Sequence, residues 1–152
     1  YNPKWPIYNY HFSLPPAKFV HNEEVDVHGL PRIGKAINSI VCDGCIVSGS
    51  TVTSSILFNS VFVHSYATVH NSILLNDVDI GEHCRIRNCI IDKHNVIPRG
   101  TIIGYDREED AKRYPVVDLG PEYGPDAWLT VIPKDRHYQM LELPKSLETH
   151  QL

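Results

Sequence analysis

Large aliphatic residues recur at every seventeenth position along the middle of the chain. They fall into three columns, and each repeat contributes one member to every column. The first column holds Ile40, Leu57, Leu74 and Ile91, the second Ile46, Val63, Ile80 and Ile97, and the third Val52, Val69, Ile86 and Ile103. Because neighbouring columns lie five or six positions apart, each repeat predicts three short strands joined by three turns.

Small and polar residues recur in phase with these columns. Ser50, Ala67, Cys84 and Thr101 each stand four positions after the second column, and polar pairs recur at 43–44, 59–60, 76–77 and 94–95. Such pairs are typical of tight turns, and small residues suit narrow corners. The pattern predicts an all-β fold, a left-handed parallel β-helix of hexapeptide type, with about four 17-residue coils over residues 37–104.

The flanking segments break the repeat. Residues 1–36 predict an inter-domain connector, with an irregular proline-containing lead-in over 1–22 and a loop over 23–36 that leads into the first coil. Residues 105–152 predict a capping helix, a last strand at Trp128–Ile132 and a frayed tail. Asp106 is a good N-cap, and Glu109 completes a capping-box pattern. We expect this helix to cover the open end of the solenoid.

Composition narrows the classes of function. The 152 residues carry a net charge of −4, which argues against a nucleic-acid partner or an anionic membrane partner. No apolar run reaches the length of a membrane span, and no secretory pattern opens the chain. Cysteines that stay as free thiols suggest a reducing environment, so we expect a cytoplasmic location. The sequence begins without Met, and we expect it to start partway through a longer protein.

Four cysteines and nine histidines raise the question of metal binding. Cys42 and Cys45 form half of a zinc signature, but Cys84 and Cys89 fall on small-residue positions of the repeat, so buried structural thiols are favoured over zinc or a disulfide. His64, His83 and His94 occupy different phases of the repeat and are expected in turns rather than around a metal. We therefore predict neither a metal site nor catalytic residues.

Basic residues gather near the end of the solenoid and after the last strand. They are Arg85, Arg87, Lys93, Arg99, Lys134 and Arg136. In an acidic protein such a local cluster can hold a phosphorylated metabolite. The alternative is that these are solvated turn residues.

Eight segments resemble bacterial ADP-glucose pyrophosphorylases (glucose-1-phosphate adenylyltransferases). They are WPI (5–7), LPPAKFV (14–20), GCIVSGS (44–50), LLNDVDIG (74–81), CRIR (84–87), IID (90–92), VIPRGTIIG (96–104) and EEDAKR (108–113). The resemblance implies a β-helix that follows an N-terminal nucleotidyltransferase domain, which we expect to be absent from this chain. It also implies a regulatory and oligomerisation role.

The resemblance further implies the activity of the longer protein. ATP and glucose 1-phosphate would give ADP-glucose and pyrophosphate for glycogen synthesis, with Mg²⁺ as the phosphoryl-transfer metal and no cofactor in this chain. The implied assembly is a homotetramer in which the β-helix contacts its own catalytic domain. Implied effectors are phosphorylated metabolites, with fructose 1,6-bisphosphate as an activator and AMP or phosphate as inhibitors.

Two regions of the chain correspond to effector contacts in that family. Lys93 stands where family members often have an Arg that contacts an AMP-type effector. Lys134 and Arg136 lie near the basic residues that hold the activator phosphate, although Ile132-Pro133-Lys134 replaces the usual Val-Thr-Arg. Arg85 and Arg87 complete the predicted effector site. A free-standing hexapeptide acyltransferase and a ligand-free oligomerisation module stay open as alternatives.

Overall fold

A computed structural model of the chain describes residues 13–25, 29 and 31–134. Within that range it shows a β-solenoid of about four turns followed by a short helix. The strands are, in chain order, β1 (Lys18–Val25), β2 (Pro31–Ile33), β3 (Lys35–Ile37), β4 (Ile40–Val41), β5 (Ile46–Ser48), β6 (Thr51–Thr53), β7 (Ile56–Leu57), β8 (Phe62–Val63), β9 (Thr68–His70), β10 (Ile73–Leu74), β11 (Asp79–Ile80), β12 (Arg85–Arg87), β13 (Cys89–Ile91), β14 (Val96–Ile97), β15 (Ile102–Ile103), β16 (Val116–Asp118) and β17 (Trp128–Ile132). The helices are α1 (Arg107–Arg113) and a 3-10 turn at Pro121–Tyr123.

Three sheets form the walls of the solenoid. Sheet I has the order β14-β11-β8-β5-β1-β2, sheet II the order β15-β12-β9-β6-β3, and sheet III the order β16-β17-β13-β10-β7-β4. Strands from successive coils pair in parallel, and the antiparallel pairs β1–β2 and β16–β17 lie at the ends of their sheets. The predicted β-helix is confirmed.

The core runs along the axis of the solenoid. Its main members are the inward residues of the three sheets from the second coil onward, and all of them are at most 3% exposed: Leu57, Leu74, Ile91, Val63, Ile80, Ile97, Val52, Val69, Ile86 and Ile103. These are the residues of the predicted columns. A fourth buried series, Cys45, Val61, Val78 and Asn95, fills the corner between sheets III and I.

The first coil departs from the predicted columns. Val41 pairs with Leu57 and Val47 pairs with Val63, so each pair is one position closer in sequence than the equivalent pairs of later coils. Ile40 is therefore turned outward and is 60% exposed, and Ile46 is half-buried on the outer side, so their assignment to the inner columns is wrong. The physical reason is that one residue fewer separates sheets I and II in the first coil than in later coils.

Each corner of the solenoid contains a residue with positive φ. The three corner series are Asn38, Ser54, Asn71 and Asn88, then Gly44, Ser60, Asp77 and His94, then Gly49, Tyr66, His83 and Gly100. The left-handed region is unfavourable for most residues but is entered most readily by Gly, Asn and Asp. The recurring polar turn residues therefore mark the corners, as the repeat predicted.

A hydrogen-bonded ladder runs inside the corner between sheets II and III. The backbone N–H of Ser55 donates to Ser39 Oγ at 3.1 Å, that of Ser72 to Ser55 Oγ at 3.1 Å, and that of Cys89 to Ser72 Oγ at 3.2 Å. Cys89 thus occupies the next position of a serine ladder. The predicted structural role of this thiol is confirmed by its complete burial.

The segment before the first coil is more regular than expected. β1 extends sheet I by pairing in parallel with β5, and β2 then pairs back on β1. The residues expected as an irregular lead-in and loop therefore supply strands, because the first coil leaves the edge of β5 open to pairing. Residues 1–12 lie outside the described residues.

The segment after the last coil covers that end of the solenoid. Asp106 caps α1 by accepting from the N–H groups of Glu108 and Glu109, and Tyr114 packs against the core. The predicted helix and the predicted strand β17 are confirmed, and β16 and a 3-10 turn lie between them. No helix among the described residues has the length and hydropathy to cross a bilayer. The expected frayed tail lies outside the described residues.

Candidate functional site

Two of the predicted effector residues share one aromatic ring. Arg85 and Arg87 point outward from β12 on sheet II, and their Cζ atoms lie 4.5 Å and 4.3 Å from the centre of the Tyr105 ring. Neither guanidinium forms an ion pair with another described residue. Stacking of guanidinium groups on an aromatic face is attractive, so Tyr105 orients both cations.

Gly104 explains why Tyr105 reaches this position. Gly104 has φ +89°, and a Cβ at this position would collide with the backbone oxygen of Arg87. Its N–H donates to Asp110 Oδ2 at 2.8 Å, and its carbonyl accepts from Arg87 Nε at 3.0 Å. The close approach therefore requires glycine and fixes the backbone from which Tyr105 extends.

Lys93 and Lys134 lie at the same corner of the solenoid. Each stands two positions after a member of the Ile91–Ile132 pair that joins β13 to β17. The Asn95 side chain fastens the two segments by donating to the carbonyls of Asp92 at 2.9 Å and of Pro133 at 3.0 Å. Two cations that are distant in the chain are thus brought to the same corner between sheets III and I.

The predicted basic cluster is therefore divided in the structure. Arg85 and Arg87 lie on the outer face of sheet II, while Lys93 and Lys134 lie at the corner between sheets III and I. Arg136 lies outside the described residues. The proximity of Lys93 and Lys134 depends on the strand register across a long connection, which the local sequence pattern does not reveal.

A cleft that sequence analysis overlooked lies between α1 and the last coil. It has a volume of about 540 Å³ and is lined by Arg99, Gly100, Thr101, Ile102, Asp106, Glu109, Asp110 and Arg113. Its charged groups are largely engaged: Arg113 donates to the carbonyl of Ile102 at 2.9 Å, and Asp106 caps the helix. The charged groups that line the cleft are therefore engaged by neighbouring protein groups rather than left open to a ligand.

Asp110 is the buried charged residue at this end of the solenoid. It is 1% exposed and accepts hydrogen bonds at Oδ2 from the Gly104 N–H at 2.8 Å, from Thr130 Oγ1 at 2.8 Å and from Trp128 Nε1 at 3.2 Å. Arg113 lies 3.7 Å from its other oxygen. These contacts join α1 to the last coil and to β17, so the carboxylate acts as a structural tie.

The cysteines and histidines are held by local contacts. Burial raises the pKa of the Cys45 and Cys84 thiols, and burial followed by the charge of Asp110 raises the pKa of Cys89 to about 12. His64 Nε2 lies 3.0 Å from Asp79, and His94 Nδ1 lies 3.3 Å from Asp77. Within residues 31–134 and the described part before them, no three His, Cys, Asp or Glu side chains are grouped to hold a metal ion.

The outer face of sheet III is aliphatic. Ile40, Ile56, Ile73, Ile90 and Val131 stand at one outward position of five neighbouring strands, as the pairing register shows. Phe58, which is 38% exposed, and Leu75 follow on the next outward position. The sequence signal for this face is the aliphatic residue that stands just before each inward residue of sheet III.

The repeating coils, the positive-φ corners and the parallel register define a hexapeptide-repeat solenoid. The chain belongs to the GlmU-like, C-terminal hexapeptide family, whose model matches residues 15–121. The glucose-1-phosphate adenylyltransferase of Dechloromonas aromatica (strain RCB) is 48% identical over 120 residues, which are 79% of this chain and 26% of that protein.

Two further relatives carry the same name. The glucose-1-phosphate adenylyltransferase of Alteromonas mediterranea is 50% identical over 113 residues, covering 74% of this chain and 25% of the relative. That of Shewanella sp. (strain ANA-3) is 43% identical over 149 residues, covering 97% of this chain and 31% of the relative. The resemblance seen in the sequence is thus confirmed, and the chain spans between a quarter and a third of these relatives.

Proposed function

We propose that this chain is the regulatory and assembly β-solenoid of a longer glucose-1-phosphate adenylyltransferase, here called the parent. The similarity to enzymes of that name over most of the chain supports the proposal. The parent converts ATP and glucose 1-phosphate into ADP-glucose and pyrophosphate in the cytoplasm. It acts as a homotetramer in glycogen synthesis.

The catalytic centre of the parent lies outside the described residues. Several described acidic side chains pair with cations, cap α1 or tie the end of the solenoid, and the described residues contain no group of three or more His, Cys, Asp or Glu side chains placed to hold a metal ion. In the proposal, the Mg²⁺ of the parent is held by its other domain, and the solenoid supplies no reacting group. We expect the 152-residue chain alone to form no ADP-glucose from ATP, Mg²⁺ and glucose 1-phosphate.

The Lys93–Lys134 corner carries the regulatory part of the proposal. The β13–β17 register places Lys93 and Lys134 at the same corner of the solenoid. Hydrogen bonds from the Asn95 side chain hold the two backbone segments together. Two ammonium groups at one corner suit a phosphorylated metabolite such as fructose 1,6-bisphosphate or AMP. Lysine offers a point charge without the bidentate fork of arginine, which favours weaker discrimination between phosphate esters.

The test compares the parent with its Lys93→Ala and Lys134→Ala variants. Loss of one charge-assisted hydrogen bond costs about 1.5–3 kcal/mol, so the half-effective concentration of fructose 1,6-bisphosphate or AMP should rise roughly tenfold or more. Lys35→Ala, at an exposed position on sheet II in the first coil, is the matched control. Unchanged effector responses in both test variants would refute the effector site.

Ligand binding distinguishes the proposed function from the acyltransferase alternative. A free-standing hexapeptide acyltransferase would bind acetyl-CoA, whereas the proposed regulatory solenoid would not. Titration of the chain with acetyl-CoA in a calorimeter distinguishes the two, since measurable heat of binding would favour the alternative. The ligand-free oligomerisation module is distinguished by the effector titrations of the parent.

A further inference from the structure

A small cleft lies at the corner between sheets I and II, where β2 stands beside the outer face of sheet II. It has a volume of about 210 Å³. Pro31 and Ile33 of β2 line it, together with Thr51 and Thr68 of sheet II and Tyr66 of the corner itself. The cleft shares none of these residues with the Lys93–Lys134 corner or with the contacts of α1.

Tyr66 occupies its place in the cleft at a conformational cost. Its φ is +60°, and a left-handed backbone is an outlier for a bulky side chain. Gly49 stands at the same corner position of the preceding coil with φ +61°, and glycine adopts this conformation without steric penalty. The corner would therefore be made more easily with glycine than with tyrosine. Backbone strain of this kind is concentrated at functional sites, so the aromatic ring calls for a role beyond the fold.

The Tyr66 ring is supported by a second ring from the next coil. The imidazole of His83 stacks on it, with 5.2 Å between the ring centroids and 19° between the ring planes. Gly49, one coil earlier, has no side chain and lines the cleft together with Tyr66. Because successive coils stack along the axis, the cleft lies on the side of Tyr66 that faces the first coil, opposite His83. The stacked pair therefore holds an aromatic platform in place beside the cleft.

The polar side chains of the cleft are hydroxyls and one ammonium group. Lys35, Thr51 and Thr68 stand side by side on three neighbouring strands of sheet II, about 4.8 Å apart. Among the described residues that line the cleft, none carries a carboxylate, amide or guanidinium group. Arg85 continues the same row but stacks on Tyr105 and does not line the cleft. One ammonium is a poor match for a phosphoryl group, whose three oxygens call for several charged or N–H donors, so the cleft suits a neutral, hydroxyl-bearing ligand.

We propose that this cleft binds one pyranose ring of a neutral saccharide. Its volume suits a single ring, because clefts for drug-sized ligands begin near about 300 Å³. The apolar C–H face of a pyranose fits the Tyr66 ring, with Pro31 and Ile33 beside it. The hydroxyls of Thr51 and Thr68 both donate and accept, which matches the hydroxyls of a sugar. We take the sugar to be a glucosyl unit; this choice rests on the proposed function, in which the parent forms ADP-glucose.

The experiment is an NMR titration of the isotope-labelled 152-residue chain with maltose. Concentrations run to about 50 mM, because a ligand held by one ring makes few contacts and is expected to bind in the millimolar range. We expect saturable shifts at the backbone amides of Thr51, Tyr66 and Thr68.

Two substitutions test the assigned contacts. Tyr66→Gly should weaken maltose binding at least about tenfold while the chain stays folded, because glycine accepts the left-handed backbone of this corner. Thr51→Ala should weaken binding about fivefold through the loss of one hydroxyl contact. Thr53→Ala is the matched control, since Thr53 is the next outward residue of the same strand and does not line the cleft. Its maltose affinity should equal that of the original chain.

Several outcomes would overturn the saccharide site. The absence of saturable shifts with maltose would do so, and so would equal weakening by Thr51→Ala and Thr53→Ala. Shifts with inorganic phosphate or glucose 1-phosphate but not with maltose would assign the cleft to an anion on Lys35 instead. If Tyr66→Gly does not fold, Tyr66→Asn is the second variant, because asparagine tolerates positive φ and carries no ring. The titration needs no activity, so a parent without adenylyltransferase activity would refute the proposed function while the binding result stands.

Discussion

Sheets II and III have similar interiors and opposite exteriors. Val52, Val69 and Ile86 fill the inner side of sheet II as Leu57, Leu74 and Ile91 fill that of sheet III, all with essentially no exposure. On the outside, sheet II presents threonines and arginines, whereas sheet III presents an isoleucine ladder. The comparison teaches that the solenoid constrains its inward and corner positions, while the outward positions are free to carry function.

The largest expected effect on stability is the difference between substituting an inward and an outward residue of the same strand. In β10, Leu74→Ala should lower the free energy of unfolding by about 2–5 kcal/mol, because it leaves a cavity in the core. Ile73→Ala, one position earlier and outward, should cost the isolated chain less than about 1 kcal/mol. Urea denaturation of the two variants measures the difference; equal losses would mean that the inward and outward assignment is wrong.

The next effect concerns the closed end of the solenoid. Asp110→Ala leaves the donors of Gly104, Trp128 and Thr130 without their acceptor, which should cost about 1–3 kcal/mol. Glu109→Ala, which removes an exposed ion pair with Lys112, should cost much less, because solvent screens the two charges. Thermal denaturation compares the two, and a larger loss from the Glu109 change would contradict the role given to Asp110.

The third effect is negligible near neutral pH and appears only at alkaline pH. The pKa of Cys89 is raised from 9.0 to about 12, so the folded state holds this proton more tightly than the unfolded state. The resulting stability is complete below about pH 9 and is lost as the pH rises toward about 12. Cys89→Ser continues the serine ladder without this titration, so its stability relative to the original chain should improve over that interval. If the urea midpoints of the two proteins differ by a constant amount between about pH 8 and 11, the role given to the Cys89 thiol is wrong.

Much of this architecture follows from residue types and spacing. Leu57, Leu74 and Ile91 recur at a constant interval because every coil must place one aliphatic residue on the same inner wall. Ser60 and Asp77 mark corners because a tight turn needs a residue that tolerates positive φ. The helix at Arg107–Arg113 was recognisable from its cap at Asp106.

Other features depend on contacts that the local pattern does not encode. The shorter first coil turned Ile40 outward, and only strand pairing reveals that shift. Lys93 and Lys134 come close together because β17 pairs with β13 after a long intervening segment of chain. Arg85 and Arg87 looked like neighbours of Lys93 in the chain, but a corner places them on a different sheet. The effector role of all these cations stays a prediction.

The central claim, that each strand of the solenoid turns one residue into the core and its neighbour outward, can be tested by thiol labelling in β10. The chain would carry Cys42→Ser to remove the one partly exposed native thiol among the described cysteines, with either Ile73→Cys or Leu74→Cys added. Maleimide should modify Ile73→Cys at least about tenfold faster, because a buried thiol reacts only when its coil opens, and an opening that costs about 1.4 kcal/mol gives that ratio. Equal labelling rates for the two thiols in the folded chain would contradict the account.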